Sequence, residues 1–290
     1  MNTNTSISAN PEATFVLVHG SGTSSHMWAP LQRALALLGR RSFAIDLPGH
    51  GLEAQYSVAY QAPQDLEALR TEPSSLTGVT LDDNVNALAA SVRALRAHGP
   101  VVLVAASLGG VTTTVLANRH PELVDKLVYI SAWACGSKAN PIEYMGEPEF
   151  AESLLPGLGG LNVNDLVAPN VGRANYRTAD AGLLRRLKAA TMDEIDDERF
   201  MAFLNLMQPD ESLAVMMGDA RIESQTWGRV PHTFFRLIRD RSLPIAMQDR
   251  LIREADQLTP DNRFNVHSLD SSHVGFLYQS DLVAKLLLEP

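Results

Sequence analysis

Six consecutive apolar residues, Val101-Val-Leu-Val-Ala-Ala106, run straight into Ser107-Leu108-Gly109-Gly110, and this junction constrains the fold more than any other segment. A strand with no polar position has no face to give to water, so it belongs in a parallel sheet covered by helices on both sides. A helix is predicted over 108–119, which places the serine where strand turns sharply into helix. Small residues accompany such a turn because its two arms approach closely. Ala105 and Gly109, two before and two after the serine, are the pair expected to meet. The helix also aims its first N–H groups and the positive end of its dipole at charge developing beside the serine oxygen. A serine that only capped a helix would need neither the glycine pair nor the apolar strand.

The same alternation recurs along the chain. Strands are predicted at 14–18, 42–46, 123–130, 233–239 and 263–269, and helices at 28–38, 82–97, 245–255 and 276–288. This indicates a doubly wound, mostly parallel six-stranded α/β sheet. Residues 1–13 read as a flexible polar tail, 14–133 and 229–290 as the α/β core, and 134–228 as an inserted helical cap without a convincing strand. The cap methionines, Met145, Met192, Met201, Met207, Met216 and Met217, read as adaptable core filler. Residues 52–80 hold several prolines and little periodicity, which predicts a long loop with one helical turn. The acidic run 193–198 reads as a solvated face of a helical stretch.

His19-Gly20-Ser21-Gly22 follows the first strand, in the position that supplies a second backbone N–H to an oxyanion hole. The predicted donors are the Ser21 and Leu108 N–H groups. Glycines let the main chain approach a ligand, so His19 itself is expected to be structural. Gly20-Ser-Gly22 lacks the third glycine and the matching acid of a dinucleotide loop. His26, beside these donors, is a candidate substrate contact. In such a sheet the chain order is serine, acid, histidine, each on a loop at the carboxyl end of a strand. Asp240 follows strand 233–239, and His273 follows strand 263–269 across Asp270-Ser271-Ser272. A serine hydroxyl needs a base to act near neutrality, and an imidazole oriented by a carboxylate supplies one. Ser107 is therefore the candidate nucleophile, His273 the general base and Asp240 the orienting acid.

The segments around Ser21, Ser107, Trp133, Asp240 and His273 resemble the plant methylesterase and hydroxynitrile lyase family of α/β-hydrolases. The likeness is carried by His19-Gly-Ser with Trp28 later in the loop, Ser107-Leu-Gly-Gly, Asp240-Arg-Ser-Leu-Pro followed by Gln248, and His273 ahead of the last helix. It implies an α/β-hydrolase fold with that family's reduced six-stranded sheet, and Trp133 as a wall of the substrate pocket. In the lyases it resembles, a threonine occupies the place of Gly20 and a lysine follows the catalytic histidine, where this chain has Val274. A cyanohydrin lyase needs that cation to hold developing cyanide. The resemblance therefore implies cleavage of a small-molecule carboxylic ester, such as a methyl ester, through an acyl-serine. A lyase or cyclase using His273 as base, and a non-catalytic ligand-binding homologue, are the alternatives.

Composition bears on partners and setting. The net charge is −9 and the charges are dispersed, which leaves no basic stripe for nucleic acid. Cys135 is the only cysteine, so neither an intramolecular disulfide nor a cysteine zinc cluster is available, and no metal or organic cofactor is implied. No stretch approaches the roughly 18 apolar residues of a membrane span, and residues 1–12 have no apolar leader. The expected setting is cytoplasmic.

Overall fold

A computed structural model describes residues 12–163 and 170–289. Of the tail expected over 1–13, all but Glu12 and Ala13 lies outside the described residues. The strands, in chain order, are β1 (Thr14–Val18), β2 (Arg41–Ile45), β3 (Val101–Ala106), β4 (Lys126–Ile130), β5 (Val171–Arg173), β6 (Asp210–Ser212), β7 (His232–Leu237) and β8 (Asn265–Leu269). The α-helices are α1 (Ala29–Leu37), α2 (Leu66–Thr71), α3 (Leu81–Arg96), α4 (Gly109–Arg119), α5 (Pro141–Met145), α6 (Ala181–Thr191), α7 (Asp197–Leu204), α8 (Leu213–Met216), α9 (Ile245–Leu258) and α10 (Ser280–Leu287). Six strands form one sheet in the order β2-β1-β3-β4-β7-β8, and every neighbouring pair is parallel.

Side chains of a strand alternate between faces, and the core divides accordingly. Phe15, Leu17, Val102, Val104, Val128 and Ile130 pack under α1 and α10 with Trp28, Leu31, Leu35 and Val283. Val16, Val18, Leu103, Ala105, Leu127 and Tyr129 pack under α3, α4 and α9 with Leu88, Val92, Val111, Met247 and Leu251. Each large aliphatic side chain buried in this way contributes about 1.5–3 kcal/mol. β1 and β3 are buried throughout, whereas the edge strands β2 and β8 are largely exposed.

From β1 the chain moves outward to β2, then returns to the other side of β1 and continues through β3, β4, β7 and β8. The order reverses between β1 and β3, whose ends lie together with Val18 opposite Ala105. A crevice at the carboxyl ends of two strands that diverge in this way is where such sheets hold ligands.

Between β4 and β7, residues 134–228 are not wholly helical. β5 and β6 pair antiparallel, with Arg173 opposite Asp210, and their side chains form a buried ion pair at 2.6 Å. Three-residue strands this polar carry no alternation, so the absence of a strand expected from the sequence is corrected here. Residues 52–80 contain the 3-10 turn Val58–Tyr60 besides α2, and a further 3-10 turn, Gly51–Glu53, straddles their start. This stretch braces the ribbon: the Arg173 guanidinium donates to the carbonyls of Leu69 and Glu72, and the Tyr60 hydroxyl accepts the Tyr176 N–H. The acidic run also differs from expectation. Asp196 caps α7, but Glu194 turns inward and accepts the Ser272 N–H at 2.8 Å.

Candidate active site

Ser107 closes β3 with φ +51°, a left-handed conformation that costs a non-glycine residue energy and is held by its surroundings. β1 and the loop after β4 supply the holding contacts. A β-carbon on Gly109 would lie 2.5 Å from the His19 carbonyl oxygen and 2.9 Å from that of Val18, and one on Gly110 would lie 2.4 Å from the Trp133 carbonyl oxygen. A side chain on Gly109 would thus run into the backbone of β1 and of the residue after it. Gly20 faces the serine closely: a β-carbon there would be 3.0 Å from Ser107 Cβ. Ser21 and Leu108 flank Ser107 in the same cavity, and among the described residues neither backbone N–H finds an acceptor.

Asp240 follows β7, its side chain fully buried. Its Oδ1 accepts the Ser242 and Leu243 N–H groups at 2.7 and 2.8 Å, and its Oδ2 accepts the Ser131 hydroxyl at 2.5 Å and faces His273 Nδ1 at 2.5 Å. An ionised carboxylate has only acceptors to offer, so the imidazole proton sits on Nδ1 and Nε2 is left with its lone pair. Ser107 and His273 line one cavity, and no hydrogen bond joins the two side chains among the described residues. Such contacts often tighten only when substrate is present.

The cavity measures about 440 Å³. Its walls include Trp133, Leu155, Leu158, Phe203, Leu204 and Phe276, and among the described residues no Asp, Glu, Lys or Arg reaches it. Trp133 is both a wall of this cavity and a buried member of the core. Met145, Met207 and Met216 pack against the core and also line the cavity, whereas Met192 is fully buried. His26 is not a wall residue. Ser25–Trp28 is a 3-10 turn that sends Met27 and Trp28 inward and leaves His26 exposed, which corrects its expected substrate contact. No residue of 52–80 lines the cavity.

Several supporting residues were not singled out from the sequence. Ser131, in a left-handed conformation at φ +40° directly after β4, carries a signal only in its position. Gln248 entered through the family resemblance, and its amide brackets the Asp240 turn: Oε1 accepts the Leu237 N–H, and Nε2 donates to the Leu237 and Leu243 carbonyls. Glu194 and Glu211 reach the site from the insertion. Beneath the oxyanion loop His19 is buried, and burial, then the nearby His50, lowers its pKa to about 4, so it is neutral near pH 7.

Comparison with known proteins follows the same lines. The chain is 22% identical over 275 residues to putative methylesterase 12, chloroplastic, of Arabidopsis thaliana, across 95% of this chain and 70% of that one. Its fold is shared with a pyrethroid hydrolase, PytH, at a TM-score of 0.70 and 21% identity over 95% and 96% of the two chains. It is shared also with polyneuridine aldehyde esterase, at a TM-score of 0.68 and 17% identity over 96% and 98%. A pattern described as the alpha/beta hydrolase family matches residues 15–286. Because that match runs from the first strand of the sheet to the last helix and takes in the serine, acid and histidine loops, the chain belongs to the alpha/beta hydrolase family.

Proposed function

We propose that the protein hydrolyses a carboxylic ester through an acyl-serine intermediate. The observation that carries this reading is the convergence of Ser107, the Asp240–His273 pair and two unoccupied backbone N–H groups on one apolar cavity. Ser107 Oγ attacks the ester carbonyl while His273 Nε2 takes its proton, and the same proton then leaves with the alcohol. Asp240 holds the imidazole in the required tautomer and stabilises it as it becomes charged. The Ser21 and Leu108 N–H groups face the developing oxyanion. Water repeats the sequence on the acyl-serine and restores the enzyme.

The cavity bears on the substrate class. Among the described residues the lining carries no fixed charge to pair with a carboxylate or ammonium group, and leaving such a charge unpaired is costly. The substrate is an uncharged ester with apolar groups on one or both sides, methyl esters included. The names of the methylesterase and esterase relatives agree with this chemistry. The lyase alternative is disfavoured, since Val274 rather than a lysine follows His273 and no Lys or Arg among the described residues lines the cavity.

Hydrolysis of p-nitrophenyl butyrate, with a fluorophosphonate probe read by intact mass and peptide mapping, tests the assignment. One adduct on Ser107 is expected, together with a loss of at least about 10³-fold in kcat for Ser107→Ala. An adduct on another residue, or unchanged turnover in Ser107→Ala, would refute it.

A further inference from the structure

The oxyanion loop is gripped on both sides of Ser21. On one side, His19 Nε2 accepts the Leu47 N–H at 3.2 Å, which leaves the ring proton on Nδ1 to be donated to the Gly20 carbonyl at 2.9 Å. The Thr23 hydroxyl donates to the same carbonyl at 2.8 Å. On the other side Gly22 takes φ +62°, its N–H donates to Glu211 Oε2 at 2.8 Å, and its carbonyl accepts the Gln208 N–H at 2.8 Å. Ser21 lies between these grips with its own N–H unengaged.

Glu211 belongs to β6, in the segment inserted between β4 and β7. Its Oε1 accepts the Ser212 N–H at 3.0 Å, and its Oε2 faces His50 Nε2 at 3.7 Å. The Glu211 side chain is 14% exposed and that of His50 only 4%. His50 packs against His19 with ring centroids 4.7 Å apart, so the pair and the loop form one buried cluster. Burial raises the Glu211 pKa and lowers that of His50, but their mutual attraction outweighs it: Glu211 stays below its ordinary value and His50 above it. A hydrogen bond from a backbone N–H to an ionised carboxylate is roughly twice as strong as a neutral one and correspondingly directional.

We propose that Glu211 is a positioning residue: through its hydrogen bond to Gly22 it directs the Ser21 N–H, which makes the inserted segment part of the oxyanion hole. The inference rests on the ester-hydrolase reading. The oxyanion exists only at and near the transition state, so a misdirected donor lowers kcat and leaves ground-state binding alone.

The test measures kcat and KM for p-nitrophenyl butyrate in the wild type, Glu211→Ala and Glu211→Gln, each with a thermal melt. Glu211→Ala is expected to lower kcat about 10- to 100-fold with KM changed less than about threefold. In Glu211→Gln the amide oxygen can still accept the Gly22 N–H, but its NH2 then meets the Ser212 N–H, so part of that loss is expected to be regained although the charge facing His50 is gone. Should Glu211→Ala not fold, Glu211→Asp retracts the carboxylate by one methylene and is expected to lose kcat in the same sense. A folded Glu211→Ala or Glu211→Asp with wild-type kcat overturns the inference, as does a rise in KM at constant kcat. A wild type that neither turns over nor takes the phosphonate overturns the ester-hydrolase reading, and this inference with it. Wild-type turnover with unaffected variants overturns this inference alone.

Discussion

At Gly109 the limiting contact is with the carbonyls of Val18 and His19, and at Gly20 it is with Ser107 itself. The start of α4 therefore lies close against β1, and Ala105 is fully buried in β3. It stands two residues before the serine, where turns of this kind commonly have glycine. Ala105→Gly is expected to cost about 1 kcal/mol, from the lost methyl and the freer unfolded backbone. It is expected to change kcat/KM by less than about twofold. Thermal unfolding and ester hydrolysis read both quantities, and a severalfold gain in kcat would show that the methyl does strain the turn. The residue-level signal was legible for Ser107, Asp240 and His273 because each follows a predicted strand within a few residues and in the chain order serine, acid, histidine. It was not legible for Glu211 or Glu194, whose backbone partners lie 189 and 78 residues away in the chain. Nor was it legible for His26, whose outward direction depends on the 3-10 geometry of its turn.

One short loop, residues 131–133, couples the serine element to the acid element. The Trp133 N–H donates to the Ser107 carbonyl at 3.1 Å, the Ser131 N–H donates to the Phe235 carbonyl at 2.9 Å, and the Ser131 hydroxyl reaches Asp240. α4 packs on this loop through Gly110, where a β-carbon would meet the Trp133 carbonyl oxygen at 2.4 Å and its nitrogen at 2.8 Å. Backbone atoms cannot swing aside as a side-chain end can. Gly110→Ala must therefore move α4 or the loop, at about 1–3 kcal/mol for an overpacked contact, and either movement shifts Ser107 against Asp240 and His273. A lowered melting temperature is expected together with slower phosphonylation of Ser107; an unchanged labelling rate would show the coupling to be weaker than the contacts imply. Elements with a full period of apolar residues, such as β3 and α9, could be read in advance. The β5–β6 ribbon could not, because its three-residue strands are joined by an Arg173–Asp210 pair rather than an apolar stripe.

Across the whole molecule, buried histidines set how stability responds to acid. His232 stacks on Trp227 with centroids 4.0 Å apart, is contacted edge-on by Phe264, shares Nδ1 with the Val230 carbonyl at 2.8 Å, and leaves Nε2 without a partner. Burial, the leading cause in both, holds His232 below its ordinary pKa and His19 down to about 4. The unfolded chain accepts these protons near pH 6.5, the folded chain only at lower pH. Their contribution is thus complete above about pH 6.5 and lost as the pH falls toward the folded values, and for His19 the full loss is about 3 kcal/mol. His50, raised by Glu211, has the opposite sign: its contribution is present below the ordinary histidine range and lost as pH rises through its folded value. Stability is therefore expected to decline on the acid side of about pH 6.5, ahead of ordinary carboxylate titration near pH 4. His232→Phe isolates one of these groups. It keeps an aromatic ring against Trp227, removes the unpartnered nitrogen, and leaves the Val230 carbonyl its bond from Asn262 at 3.0 Å. The variant is expected to melt at or above the wild-type temperature at pH 7 and to lose less of that temperature between pH 7 and 5. Equal slopes for the two proteins would mean that the acid limb arises at other groups, with His19 the next to be replaced.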